Sequence, residues 1–131
     1  MSAEAEQAAI QAVHDFIETF NAQDHERHAA TLNYPHVRLA AGRFTQTDSA
    51  EQFAELSRQG EARLAAEGWH HTIVSNLEVV HSGEDKVHLA LTNDRCDANG
   101  QVYHRFDTLW IATLVDGKWG IQFRSSFLHA K

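Results

Sequence analysis

The stretch Val102–Phe127 reads VYHRFDTLWIATLVDGKWGIQFRSSF, two long runs rich in aromatic and β-branched residues divided by Asp116-Gly117. An Asp-Gly pair between such runs predicts an antiparallel hairpin closed by a two-residue primed turn. Val115 then lies opposite Lys118, and counting back pairs Leu114 with Trp119, Ala112 with Ile121, Trp110 with Phe123, Thr108 with Ser125 and Phe106 with Phe127. This face is almost wholly apolar and is expected to wall the core. The other face carries Arg105, Asp107, Leu109, Ile111, Gln122, Arg124 and Ser126, too apolar for open solvent and too polar for a core. It is a candidate interface.

Working back from the hairpin, Asn99-Gly100 is a second primed-turn pair. It sets Arg95 against His104, Asn93 against Phe106, Leu91 against Thr108 and Leu89 against Trp110, extending the apolar face. Further strands are expected at Trp69–His81 and Lys86–Cys96, so the second half of the chain is a four-stranded meander. Strands of this length twist and curl.

The first half has a helical pattern. Ile10, Val13, Phe16, Ile17 and Phe20 recur at helical spacing within Ala3–Ala22. A short helix over His25–Leu32 stops before Tyr34-Pro35, because a residue preceding proline is pushed toward extended backbone. His36–Ala41 reads as a short strand, and Asp48 or Ser49, with Glu51 as capping partner, opens a third helix to about Glu67, with Phe53, Leu56 and Leu64 on its buried side and Gly68 as its stop. The expected fold is one α+β domain over residues 1–131: a curved, mostly antiparallel sheet with three helices on its concave face, forming a cone with a pocket at its wide end.

Composition narrows the function classes. The chain has 131 residues, 43% hydrophobic and 22% charged, an ordinary globular balance. With 11 basic against 18 acidic residues, a formal charge of −7 and no basic cluster, it would repel nucleic acid. The single Cys96 cannot make an internal disulfide, and no apolar run has membrane length. A soluble protein of the bacterial cytoplasm is expected, with no membrane or nucleic-acid partner.

The order helix, short helix, short strand, helix, long meander resembles the nuclear transport factor 2-like superfamily, in particular its SnoaL-like and ketosteroid-isomerase-like branches. The cues are Phe16-Ile17 through Phe20-Asn21-Ala22-Gln23-Asp24, Asp48 through Phe53, and Asp116-Gly117-Lys118-Trp119-Gly120-Ile121. The resemblance implies a cystatin-like fold. It does not choose among the isomerases, cyclases, dehydratases, transport factors and uncharacterised proteins of that superfamily. The isomerase mechanism needs a carboxylate base on the short strand and tyrosine and protonated-aspartate oxyanion donors. The matching positions here hold Leu39 or Ala40, Phe16, and Leu109 or Trp110, so the resemblance does not carry the acid/base set with it.

Candidate ligand-binding residues are Phe16, His36, Arg38, Asn93, Arg95, His104 and Ser125. Asn93, Arg95, His104 and Ser125 are the polar members of the core-facing rows, with Leu89, Trp110 and Ile121 as the floor. An inward arginine needs an anion, so Arg95 either holds an acidic or carbonyl group of a ligand or pairs with a local acid at the rim. His36 and Arg38 share a face of the short strand; His36, like His104, is either a general acid/base or a donor to a backbone carbonyl. No cofactor is expected. No metal site is expected either, since His25 and His28 lie on a polar helix and His70-His71 point apart. Cys96 faces outward opposite Tyr103 and is no evident nucleophile. The functional alternatives are a binder of a small, largely apolar molecule, a non-catalytic dimeric accessory or regulatory module, and a lyase, isomerase or cyclase using His36 or His104. A homodimer is expected through the outer sheet face, where Leu109, Ile111, Val74 and Val80 are left exposed.

Overall fold

Asp116 and Gly117 adopt φ of 51° and 79°, the left-handed pair that a primed two-residue turn requires. They join strands Val102–Val115 and Lys118–Ser126, with Val115 opposite Lys118 and Ala112 opposite Ile121. The computed structural model describes residues 3–128. Its elements are α1 (Ala3–Ala22), α2 (His25–Ala29), β1 (Leu32–Ala40), β2 (Arg43–Thr47), α3 (Ala50–Gln59), α4 (Glu61–Ala66), β3 (His71–Ser82), β4 (Lys86–Cys96), β5 (Val102–Val115) and β6 (Lys118–Ser126). The six strands form one sheet in the order β2-β1-β6-β5-β4-β3, antiparallel except where β1 runs parallel to β6. The fold is α+β, with helices on one face of the sheet, and no helix among the described residues is long and apolar enough to cross a membrane.

Helix α1 lies across β3 to β6. Its buried stripe, Ala5, Ala9, Ala12, Val13 and Phe16, has small residues at the first turns and an aromatic one further along. The small residues let the helix backbone approach Val87, Leu89, Ala112 and Ile121, whereas Phe16 reaches to Trp110. Burying these groups is the main driving force for the fold.

Several elements differ from the sequence reading. The second helix ends at Ala29 and β1 starts at Leu32, so the expected short strand is nine residues long and contains a cis Tyr34–Pro35 bond. Strand β2 was not foreseen; it pairs with β1 through Leu39 opposite Phe44. The third helix is broken at Gly60, giving α3 and α4. Its N-cap is Ser49, whose hydroxyl accepts from Gln52 N at 3.2 Å.

Bulges account for the remaining differences, because one extra residue swaps the two faces of a strand. In β3 the pairing shifts at Ser75 and at Val80, which turns Val74 inward against the core, while Ile73 is left outward. In β6 it shifts at Gln122: Phe123 stands opposite Ile111, Arg124 opposite Trp110, Ser125 opposite Leu109 and Ser126 opposite Thr108. Arg124 and Ser126, expected outside, are therefore inside, and Ser125, expected inside, is outside. Phe127 lies beyond the ladder and is exposed, not paired with Phe106.

Strands β1 and β6 meet at close range. A Cβ on Gly120 would lie 2.9 Å from the Leu32 carbonyl carbon and 2.9 Å from Asn33 Cγ. Buried Asn33 ties the strands together, its Nδ2 donating to Thr113 O at 2.9 Å and to Lys118 O at 3.3 Å. Gly120→Ala should lower stability by roughly 1–3 kcal/mol, since backbone and not only side chain must move. Urea unfolding checks this; an unchanged midpoint would show that the two strands have slack at this point.

Candidate functional site

The bulge at Gln122 assembles the polar centre of the helix-covered face. It brings Arg124 beside Arg38, its partner across the parallel β1–β6 pair. The Arg124 guanidinium lies 4.8 Å from the centre of the Phe16 ring and 5.9 Å from that of Trp110. Its Nε donates to His36 Nε2 at 3.3 Å. Stacking on two aromatic faces partly replaces lost hydration, and the acceptor role fixes His36 as a neutral imidazole carrying its proton on Nδ1.

Two buried histidines complete this centre. His36 is 1% exposed and His28 is 3% exposed. His28 packs against Phe16 with ring centres 4.2 Å apart, and its Nδ1 is 2.9 Å from Thr19 Oγ1. Burial above all, and then the charge of Arg124, lowers His28 to about 3 and His36 to about 2. His28 was assigned to a polar helix surface on sequence; the signal that contradicts this is the spacing of His25, His28, Ala29 and Leu32, all of which are buried.

Arg38 is pressed below its usual range by burial, followed by the nearby charges of Arg95 and Arg63. For Arg124 the causes are burial and then Arg38, and the shift is larger. Among the described residues, neither arginine has a carboxylate within ion-pair distance, and the buried Arg38 Nε has no hydrogen-bond partner. Both cations are inside without a counter-charge among the described residues. That is the costly state for an arginine.

Arg95 takes the second of its two expected roles. Its Nη1 donates to Glu67 Oε1 at 2.9 Å, and Tyr103 Oη donates to the same oxygen at 2.6 Å. Glu67 caps the end of α4, so this contact ties the helix to the sheet. Burial first, and then Glu67, raises the Tyr103 hydroxyl above its usual range.

Tyr103 reaches Glu67 because the second hairpin is not a two-residue one. Gly100 N bonds Asp97 O and Asp97 N bonds Gln101 O, which leaves Ala98, Asn99 and Gly100 in the loop. Cys96 therefore pairs with Val102, not Tyr103, and the extra residue restores the expected partnership of Arg95 with His104. The His104 ring packs on Phe106 at 5.6 Å.

The structure thus brings together Phe16, His36 and Arg38 with Arg124, and sets Asn93, Arg95 and His104 along the neighbouring inward rows. Ser125 is on the opposite face. Two open depressions, of about 360 and 380 Å³, lie elsewhere: one is bordered by Asp15, Arg27 and Lys118, the other by Glu26, Ala54 and Arg58. Among the described residues, no group of three or more His, Cys, Asp and Glu is placed to hold a metal.

The histidines make stability depend on pH. Each is neutral in the folded chain and takes up a proton in the unfolded one below its ordinary value of 6.5, so stability is full above that pH and falls as pH drops. Two such groups give a slope of up to about 2.7 kcal/mol per pH unit. Urea unfolding at pH 7.5, 6 and 5 should show the loss, and His36→Gln should cut the slope by about half. Equal stability at pH 7.5 and 5 would contradict it.

Comparison with known proteins agrees with this architecture. No curated protein matches the chain. An NTF2-like protein with a cystatin-like fold from Novosphingobium aromaticivorans superposes with a TM-score of 0.76 at 14% identity, covering 95% of this chain and 82% of the other. A protein of unknown function with a cystatin-like fold from Nostoc punctiforme gives a TM-score of 0.76 at 14% identity, with coverage of 97% and 92%. A ketosteroid isomerase-like protein from Erwinia carotovora atroseptica gives 0.68 at 16% identity, with both chains covered at 100%. Identities this low speak to fold alone. The family model described as NTF2-like protein (DUF6841) matches residues 5–124, and the chain belongs to that NTF2-like family.

Proposed function

We propose that this chain binds a small, largely apolar molecule carrying a carboxylate or carbonyl group, held by Arg38 and Arg124 against Phe16 and Trp110. One observation carries the reading: the two arginines stand side by side on the inner face with no acidic partner among the described residues, and Arg38 Nε is buried and unpaired. A ligand anion would supply the missing charge and hydrogen bonds. Arg95 is less suited, being neutralised by Glu67. The lone, buried Cys96 fits a reducing, cytoplasmic setting.

Isomerase-type proton abstraction is not supported. The inward side chains of β1 include Leu32, Tyr34, His36, Arg38 and Ala40, none of them a carboxylate, and Phe16 and Leu109 or Trp110 stand where the resemblance implies the oxyanion donors. Buried His28 and His36 are neutral, and their lowered pKa values make them weak bases.

If binding occurs as proposed, millimolar benzoate should raise the melting temperature by a few degrees, on the order of 3–5 °C at tenfold excess over its Kd, and benzamide by less. Arg38→Met should abolish the shift, yet leave the free protein at least as stable, because an unpaired buried cation is removed. A variant that is equally responsive to benzoate would overturn the reading.

A second reading, a non-catalytic dimeric module, is favoured by the aromatic filling around Phe16, Trp110 and Phe53 and by the outer face. Phe44, Leu39, Ser125 and Leu109 form one row across four strands there, and Val37, Phe123 and Ile111 the next. Phe44 is 69% exposed and Leu39 43%. The Arg105–Asp94 ion pair borders the patch. A second copy is the natural cover for a flat, self-complementary sheet face. Light scattering at about 10 µM, above the usual Kd of such interfaces, should give about twice 14.7 kDa, and Phe123→Asp should give the monomer mass. A monomer for the unaltered chain would remove this reading.

A further inference from the structure

A second unpaired atom on the same face says what else the bound molecule must carry. Asn93 is 4% exposed, and its Oδ1 has no hydrogen-bond partner among the described residues. The residue sits on β4 between Leu91 and Arg95, with Phe106 opposite it on β5 and Val74 opposite it on β3. Every one of these neighbours is apolar except Arg95, and the Arg95 guanidinium is turned over the Phe106 ring at 5.7 Å and committed to Glu67. An amide oxygen in such surroundings loses the full value of its hydration.

The two unpaired atoms are complementary in kind. Arg38 Nε is a donor in need of an acceptor, and Asn93 Oδ1 is an acceptor in need of a donor, yet they do not meet each other. Both belong to the inward rows of the sheet. Ser82 Oγ, the other buried unpaired side-chain atom among the described residues, is at the far end of β3, opposite Val87, and takes no part in this face's polar end.

We infer that the ligand is a hydroxy- or amino-substituted carboxylic acid, whose anion lies on Arg38 and Arg124 and whose O–H or N–H donates to Asn93 Oδ1 across an apolar body. This rests on the anion-binding reading above and adds the second polar group. The specificity has a physical basis: a site that holds a buried acceptor discriminates strongly against an analogue lacking the donor, because the acceptor is then left dry and unpaired. An unsubstituted acid satisfies only half of the site.

Benzoate, 3-hydroxybenzoate and 4-hydroxybenzoate are suitable probes, measured by isothermal titration against the unaltered protein and Asn93→Leu. At least one hydroxybenzoate should bind about tenfold more tightly than benzoate. In Asn93→Leu that advantage should vanish while benzoate keeps its affinity to within about twofold. The leucine variant should be at least as stable as the parent, since it removes an unpaired acceptor from an apolar setting. Asn93→Ala, which removes the same oxygen with a smaller side chain, should show the same loss of discrimination. If benzoate binds but the hydroxyl brings no advantage, or the advantage survives both substitutions, the inference about Asn93 is wrong and the anion site stands. If neither benzoate nor its hydroxy derivatives bind, the anion site itself is wrong.

Discussion

The inner face of this protein depends on one extra residue in one strand. With Gln122 bulged, Arg124 turns toward the helices and lies over Phe16 and Trp110, and its Nε finds His36. Without the bulge, Phe123 would take that place and Arg124 would face outward. The aromatic pair is supplied by α1 and β5, the imidazole by β1 and the guanidinium by β6, so four elements meet at a single charged group. A cation in this position is tolerated because ring faces and a neutral imidazole surround it. It is not neutralised by them.

This gives the molecule an uneven distribution of charge. The chain as a whole is acidic, at −7, yet the interior side of the sheet gathers Arg38, Arg95 and Arg124, with Arg63 close enough to be felt by Arg38. Of these three sheet arginines, only Arg95 has a carboxylate partner among the described residues. The same positive field keeps His28 and His36 neutral, after burial has done most of that. As proposed, such a site would hold an anion and offer it no strong base, which argues for holding a molecule more than for abstracting a proton from one.

Much of this was legible in the sequence, for identifiable reasons. Asp116-Gly117 allowed one turn geometry only, and that fixed the hairpin as far as Ala112 and Ile121. Asn99-Gly100 gave the correct partners for Arg95, Asn93 and Leu91 through two compensating departures, a three-residue loop and the extra Tyr103. Bulges at Ser75, Val80 and Gln122 were not legible. Any side chain can occupy a bulge, and the alternation on either side looks unbroken. Each one moved residues to the wrong face: Val74 and Arg124 went inward, Ser125 outward. His28 was misread because its helix is short and its neighbours are charged, although its own spacing pointed inside. Glu67 could not be matched to Arg95 because the pair is 28 residues apart and joins a helix end to a strand, a relationship that no local pattern encodes.

The arginine pair is the point on which the functional account turns, and it can be observed directly. A proton–nitrogen correlation spectrum of the arginine Nε–H groups, recorded as benzoate is added, reports which guanidinium meets the anion. The account predicts that the Arg38 and Arg124 signals move together and saturate, while the Arg95 signal, held by Glu67, stays in place. Movement of Arg95 with Arg38 and Arg124 unchanged would contradict it.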